Sequence, residues 1–183
     1  MQRTRTLLSS LVVVGGSAIL SLASLASTGC SSSTSGSPAP SNTKVSFTND
    51  VMPIFKGGCT LSNQCHGQTM NSAEENLYLG DNVTNTTAII AQVYMGLVGV
   101  ASVEDPAMPL VTAGSPSTSF LSHKVVGDQD TLDPECAMTT PLCLMGCTTQ
   151  KPCGTSMPYN GGPFDPSKID TLNNWIAQGA KNN

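Results

Sequence analysis

Six cysteines, at positions 59, 65, 136, 143, 147 and 153, constrain this chain more than its apolar content does. The region that holds them has only short helix-forming stretches, separated by long runs rich in Gly, Pro, Ser and Thr. No run alternates apolar and polar residues as a strand would. Long loops in a compact domain need something to organise them, because ordering their backbone is costly and they bury little apolar surface. Cross-links do this by narrowing the unfolded ensemble. An even set of cysteines in an exported chain fits that role.

Export is legible at the start of the 183-residue chain. Arg3 and Arg5 form a basic opening, Leu7 to Leu25 is apolar and small, and Ala26-Ser-Thr-Gly29 leads into Cys30. Residues 1–29 read as an export signal, too weakly flanked to be a permanent span. Their end resembles a bacterial lipobox, in which the cysteine after a small residue is lipidated and becomes the new N-terminus. Thr28 and Gly29 fit, while Ser27 stands where leucine is usual. The alternative is an ordinary secretory signal with Cys30 left over. Residues 30–43 then form a lipidated Cys30 and a flexible Ser/Pro linker that holds the domain about 20 Å from the membrane. The folded domain is expected at 44–183, exported and anchored by lipid to a bacterial membrane on its periplasmic or cell-surface side. Both arginines leave with the signal, so six lysines face twelve acids, a net charge of −6. That balance argues against nucleic-acid binding.

Inside the domain the spacing predicts a mainly α fold. Asp50 is a candidate cap for a helix carrying Pro53, with Val51, Ile54 and Phe55 on one face and Gly57-Gly58 at its end. A second helix is expected over Thr86 to Val98, with Ile89, Ile90, Val93 and Leu97 inward. A third is expected over Ser117 to Val126, with Phe120, Leu121 and Val125 inward. The last is the clearest: Asp165 as cap, Pro166 at the first helical position, a stripe of Ile169, Leu172, Trp175 and Ile176, and Gly179 as its close.

Cys59, Cys65 and His66 follow the first helix, and Met157-Pro158 precedes the last. Two thiols with an adjoining histidine, and a distant methionine, are the groups that a covalently held haem with His/Met ligation requires. The usual attachment sequence is C-x-x-C-H, whereas here five residues separate the cysteines. On a regular helix those six steps turn about 600°, so the two cysteines cannot share a face and Thr60 to Gln64 must bulge. The order of three segments resembles the class I c-type cytochromes, and especially the single-haem cytochrome c-like domains of exported bacterial lipoproteins. These are Phe47-Thr-Asn-Asp50-Val51-Met-Pro53-Ile54-Phe55 with Cys59, Cys65, His66 and Gly67; Leu110-Val-Thr-Ala-Gly114 through Ser119-Phe-Leu121; and Cys153-Gly154-Thr-Ser-Met157-Pro158 with the helix ending at Trp175-Ile-Ala-Gln-Gly-Ala180.

The resemblance implies a cytochrome c-like small helical domain with one haem c. It gives Cys59 and Cys65 the thioether bonds, and His66 and Met157 the two axial positions on iron. It implies one-electron transfer with redox partner proteins. Filled axial sites suit a carrier better than a catalyst, and no enzyme motif is present. The other reading is a haem-free, disulfide-stapled lipoprotein of the same shape, acting as a structural or binding module, with Cys59 bonded to Cys65. Met108-Pro109 repeats the Met-Pro pair and is the rival for Met157. His123 is expected at the surface beside Lys124. Cys136, Cys143, Cys147 and Cys153 lack the tight C-x-x-C pairs of a zinc or iron–sulfur site and are expected to form two disulfides, in any of three pairings. Replacement of Cys30 by serine is expected to release the protein from membranes on fractionation; retention of the variant would contradict the lipid anchor.

Overall fold

The computed structural model describes residues 43–61, 65–67, 77–137, 147–159, 162 and 164–183. All of them fall within the unit Ser37–Asn183. The expected signal, Cys30 and most of the linker lie outside the described residues, as does Cys143. Five α-helices follow in order: α1 (Met52–Gly58), α2 (Thr87–Leu97), α3 (Phe120–Val126), α4 (Asp133–Ala137) and α5 (Pro166–Ala177). Among the described residues there is no strand, only isolated bridges such as Val98 with Val111. The fold is mainly helical, as the periodicity predicts. No helix among the described residues is long and apolar enough to cross a membrane.

The first helical segment begins earlier than Asp50. A π-helical turn, Phe47–Val51, runs directly into α1. Ser46 is its cap: the Ser46 hydroxyl accepts from Asn49 N–H at 3.1 Å, and Ser46 N–H donates to Asp50 Oδ2 at 2.7 Å. Asp50 is therefore the reciprocal partner within the first turn. The early start brings Phe47 onto the buried face with Val51 and Phe55, each without exposed surface.

Elsewhere the boundaries follow the caps. The Thr86 side chain accepts from Ile89 N–H, and α2 buries Val93 and Leu97 completely, with Ile89 and Ile90 half-buried. A 3-10 turn, Pro116–Thr118, precedes α3, which buries Phe120, Leu121 and Val125. Asp165 caps α5 through Ser167 N–H at 2.8 Å, and Leu172, Trp175 and Ile176 face inward. The Ser167 hydroxyl, and after it that backbone hydrogen bond, hold the Asp165 carboxyl below its ordinary pKa.

The main core forms where the two ends of the domain meet. Phe47 stacks on Trp175 with ring centroids 5.0 Å apart, and meets Phe55 and Tyr94 edge-on. Polar bonds seal the same junction. Asn183 O accepts from Thr48 N–H and from the Ser46 hydroxyl, and Gln178 Oε1 accepts from Val45 N–H. A smaller core surrounds Phe120, Cys136 and Cys153. Trp175 also donates its indole N–H to Lys181 O at 2.9 Å, so truncation removes packing and a hydrogen bond together. Trp175→Ala is expected to lower unfolding stability by about 3–5 kcal/mol, read by denaturant titration; a loss under about 1 kcal/mol would place the stabilising core elsewhere.

Candidate cofactor site

Local hydrogen bonds at the end of α1 build the turn that carries Cys59 and His66. Cys59 N–H and Thr60 N–H both donate to Phe55 O, at 2.7 and 3.1 Å, which completes the helix. The chain then leaves the helical path, and His66 N–H donates to Cys59 O at 2.9 Å. In an α-helix the carbonyl accepts from the residue four positions on, which is where histidine stands in C-x-x-C-H. The first cysteine's carbonyl and the histidine's amide are thus bonded here across a stretch three residues longer. After Cys59, Thr60 is buried and Leu61 is exposed. Residues 62–64 of the expected bulge lie outside the described residues.

His66 is buried, and its Nδ1 lies 3.0 Å from Leu77 O. A carbonyl can only accept, so Nδ1 carries the proton and, in the neutral ring, Nε2 carries the lone pair. Leu79 N–H donates to His66 O at 2.9 Å, which ties the backbone to the same segment. The Leu77 carbonyl thereby fixes both the tautomer and the orientation of the ring.

Cys59 and Cys65 are thiols, so the disulfide weighed for them is not formed in this structure. Burial, and secondarily the neighbouring Cys65, push the Cys59 thiol up from 9.0 to about 12. At neutral pH it is a protonated, inert sulfur; anything joined to it covalently must be joined before the domain closes over it.

Met157 is held elsewhere, against α3. Its N–H donates to Lys124 O at 2.8 Å, and with Val125, Val126, Gly127 and Tyr159 it lines a cavity of about 420 Å³. Cys59, Cys65 and His66 are not among that cavity's walls. The segment beyond Met157 nevertheless returns to the cysteine turn. Phe164 is buried against Gly58, where a Cβ would come within 2.5 Å of its ring, so glycine is required for this approach. The chain carrying Met157 therefore runs from the end of α3 to the residue before Cys59.

Met108, the rival methionine, packs in the smaller core beside Phe120 and the Cys136–Cys153 disulfide. His123 is less exposed than expected. Its side chain keeps 16% of its surface, with Nδ1 2.9 Å from Asp128 and Nε2 3.1 Å from Ser117 O, so each nitrogen faces an acceptor.

Of the later cysteines, Cys136 pairs with Cys153, and Cys147 is also disulfide-bonded. Among the described residues no three His, Cys, Asp or Glu side chains converge as a metal-ion site requires.

Sequence reasoning missed Lys124 and Glu104. They form an ion pair with side chains 8% and 4% exposed, Lys124 Nζ lying 3.1 and 2.9 Å from the two Glu104 oxygens. Nothing local signals it, since twenty residues separate the partners. Four side chains could hold a haem: Cys59 and Cys65 by thioether bonds, His66 and Met157 as ligands. No family model matches the chain, and no curated protein or solved structure matches it.

The buried thiol makes a measurable difference. A rise from 9.0 to about 12 cuts the thiolate population at neutral pH about a thousandfold. In folded protein lacking haem, an alkylating reagent should modify the half-exposed Cys65 first and Cys59 only on unfolding. The folded state holds this proton more tightly than the unfolded chain does. Its contribution to stability is therefore complete below about pH 9 and is lost as the pH rises toward 12. Equal labelling of the two cysteines in native protein, followed by peptide mass spectrometry, would contradict the burial of Cys59.

Proposed function

We propose that this protein is a membrane-tethered electron carrier that holds one haem c. Cys59 and Cys65 supply the thioether bonds, and His66 and Met157 the axial ligands. The observation that carries the reading is the 2.9 Å bond from His66 N–H to Cys59 O. It supports haem attachment despite the long spacing, because it relates the first cysteine to the histidine as a single helical turn would. The resemblance to cytochrome c-like domains of bacterial lipoproteins points the same way.

When bound, the group supplies one iron that accepts and returns a single electron. The chain's own residues decide how that iron is presented. Leu77 O holds the His66 proton at Nδ1 and leaves Nε2 as the basic nitrogen. Met157 offers a neutral thioether, which favours ferrous iron and a higher potential than a second imidazole would. With His66 and Met157 as its two protein ligands, the iron would offer no site to dioxygen or a substrate, and the group would exchange electrons with a redox partner. Anchoring through Cys30 on the outer side of a bacterial membrane would restrict partners to that surface. An acidic domain of net charge −6 would meet basic partners faster at low salt.

The test is made on full-length protein exported from a host that attaches haem. The expected result is haem that stays with the polypeptide after denaturation, with its mass added to a peptide containing Cys59 and Cys65. His66→Ala should abolish the low-spin spectrum. Met157→Ala should remove the weak sulfur-to-iron absorption at the red end while haem stays attached. Survival of that band would move the ligand to Met108. Colourless protein from such a host would select the haem-free structural or binding module.

A further inference from the structure

We propose that Lys124 is a positioning residue for Met157, acting through both its main chain and its side chain; the consequence for iron rests on the ligand assignment above. The Lys124 carbonyl accepts from Met157 N–H at 2.8 Å. Its ammonium donates to Cys153 O at 2.9 Å while paired with both oxygens of Glu104. Both ends of the stretch 153–157 are therefore fastened to one residue. Lys124 Nζ also lies over the Phe120 ring, 5.5 Å from its centroid, which adds a cation–π contact.

Stability alone is a weak reason for such a pair. Removing two charges from water is costly, and apolar side chains of similar volume commonly do as well in a core. What they cannot do is bind the Cys153 carbonyl. The disulfide to Cys136 fixes the position of the Cys153 sulfur but leaves the direction of its carbonyl, and of the chain beyond, to other bonds. Gly154 is shaped by the same contact. It has φ +70, and a Cβ there would lie 2.7 Å from Glu104 Oε1 and 3.1 Å from Lys124 Nζ. The backbone passes so close to the ion pair that a side chain would drive them apart.

Local hold on the Met157 segment and global stability can be measured apart. In K124M/E104L both charges leave together, so no lone buried charge remains. Hydrogen exchange at the Met157 amide is measured against that at the buried Trp175 amide in the same sample. Loss of positioning should raise the Met157-to-Trp175 ratio at least about tenfold. Should the double variant fail to fold, Glu104→Gln gives a smaller rise in the same ratio, and Lys124→Arg should keep the ratio close to the wild-type value. In haem-bearing protein the variants should also lose the red-end band and show a lower potential with haem still attached. An unchanged exchange ratio in the variants overturns the inference. An increased ratio with band and potential intact confines the effect to the backbone and overturns positioning of the ligand. If wild-type protein is colourless, the haem reading fails and the exchange ratio alone decides whether Lys124 holds the segment.

Discussion

Phe47 stacked on Trp175 is the contact on which the rest of this domain depends. It joins the first helical turn to the last helix, and the polar bonds beside it link groups as far as 137 residues apart. Aromatic stacking of this kind contributes about 0.5–1.5 kcal/mol beyond the area buried. The larger effect is topological. Closing the ends against each other leaves every intervening segment as an internal loop, to be stabilised from within. Among the described residues little regular structure serves that end, since α1 and α3 have seven residues each and α4 only five. Disulfides, a buried ion pair and side-chain-to-backbone bonds do much of what longer helices do in other small domains.

The two halves of the proposed haem site draw on different sources of rigidity. Cys59 and His66 are set by main-chain bonds at the end of α1, and His66 is oriented by Leu77 O. Met157 depends on α3, on Lys124 and on the neighbourhood of the Cys136–Cys153 disulfide. Phe164 against Gly58 is where the second set meets the first. A perturbation of the disulfide region therefore reaches the methionine before the histidine. In the haem reading, Met157 would therefore be more easily disturbed than His66.

The helices were legible where a cap and an apolar stripe agree, as in α5 with Asp165, Pro166 and the row ending at Ile176. Ser46 was missed because Asp50 and Pro53 look like a helix start by themselves, and the residue that completes the cap lies four positions upstream. α4 has no apolar stripe; Asp133-Pro-Glu-Cys-Ala forms there in company with the disulfide at Cys136, which no local pattern reveals. The candidate ligands were readable because cysteine, histidine and methionine are scarce and chemically distinct. The groups that orient them were not. The carbonyls of Leu77 and Cys153 look like any others in a sequence, and Lys124 reads as a surface lysine until Glu104 is found beside it.

The bond between Cys59 O and His66 N has an evolutionary implication. It defines a chord, and the residues between form an arc whose length is nearly immaterial to the chord. Closure entropy rises only logarithmically with the number of residues enclosed, so three added residues cost about 0.5 kcal/mol. Insertions at this point are therefore close to neutral for the fold. The turn at the end of α1 is thus defined by its closing bond, and the number of residues it encloses is a secondary matter for the fold.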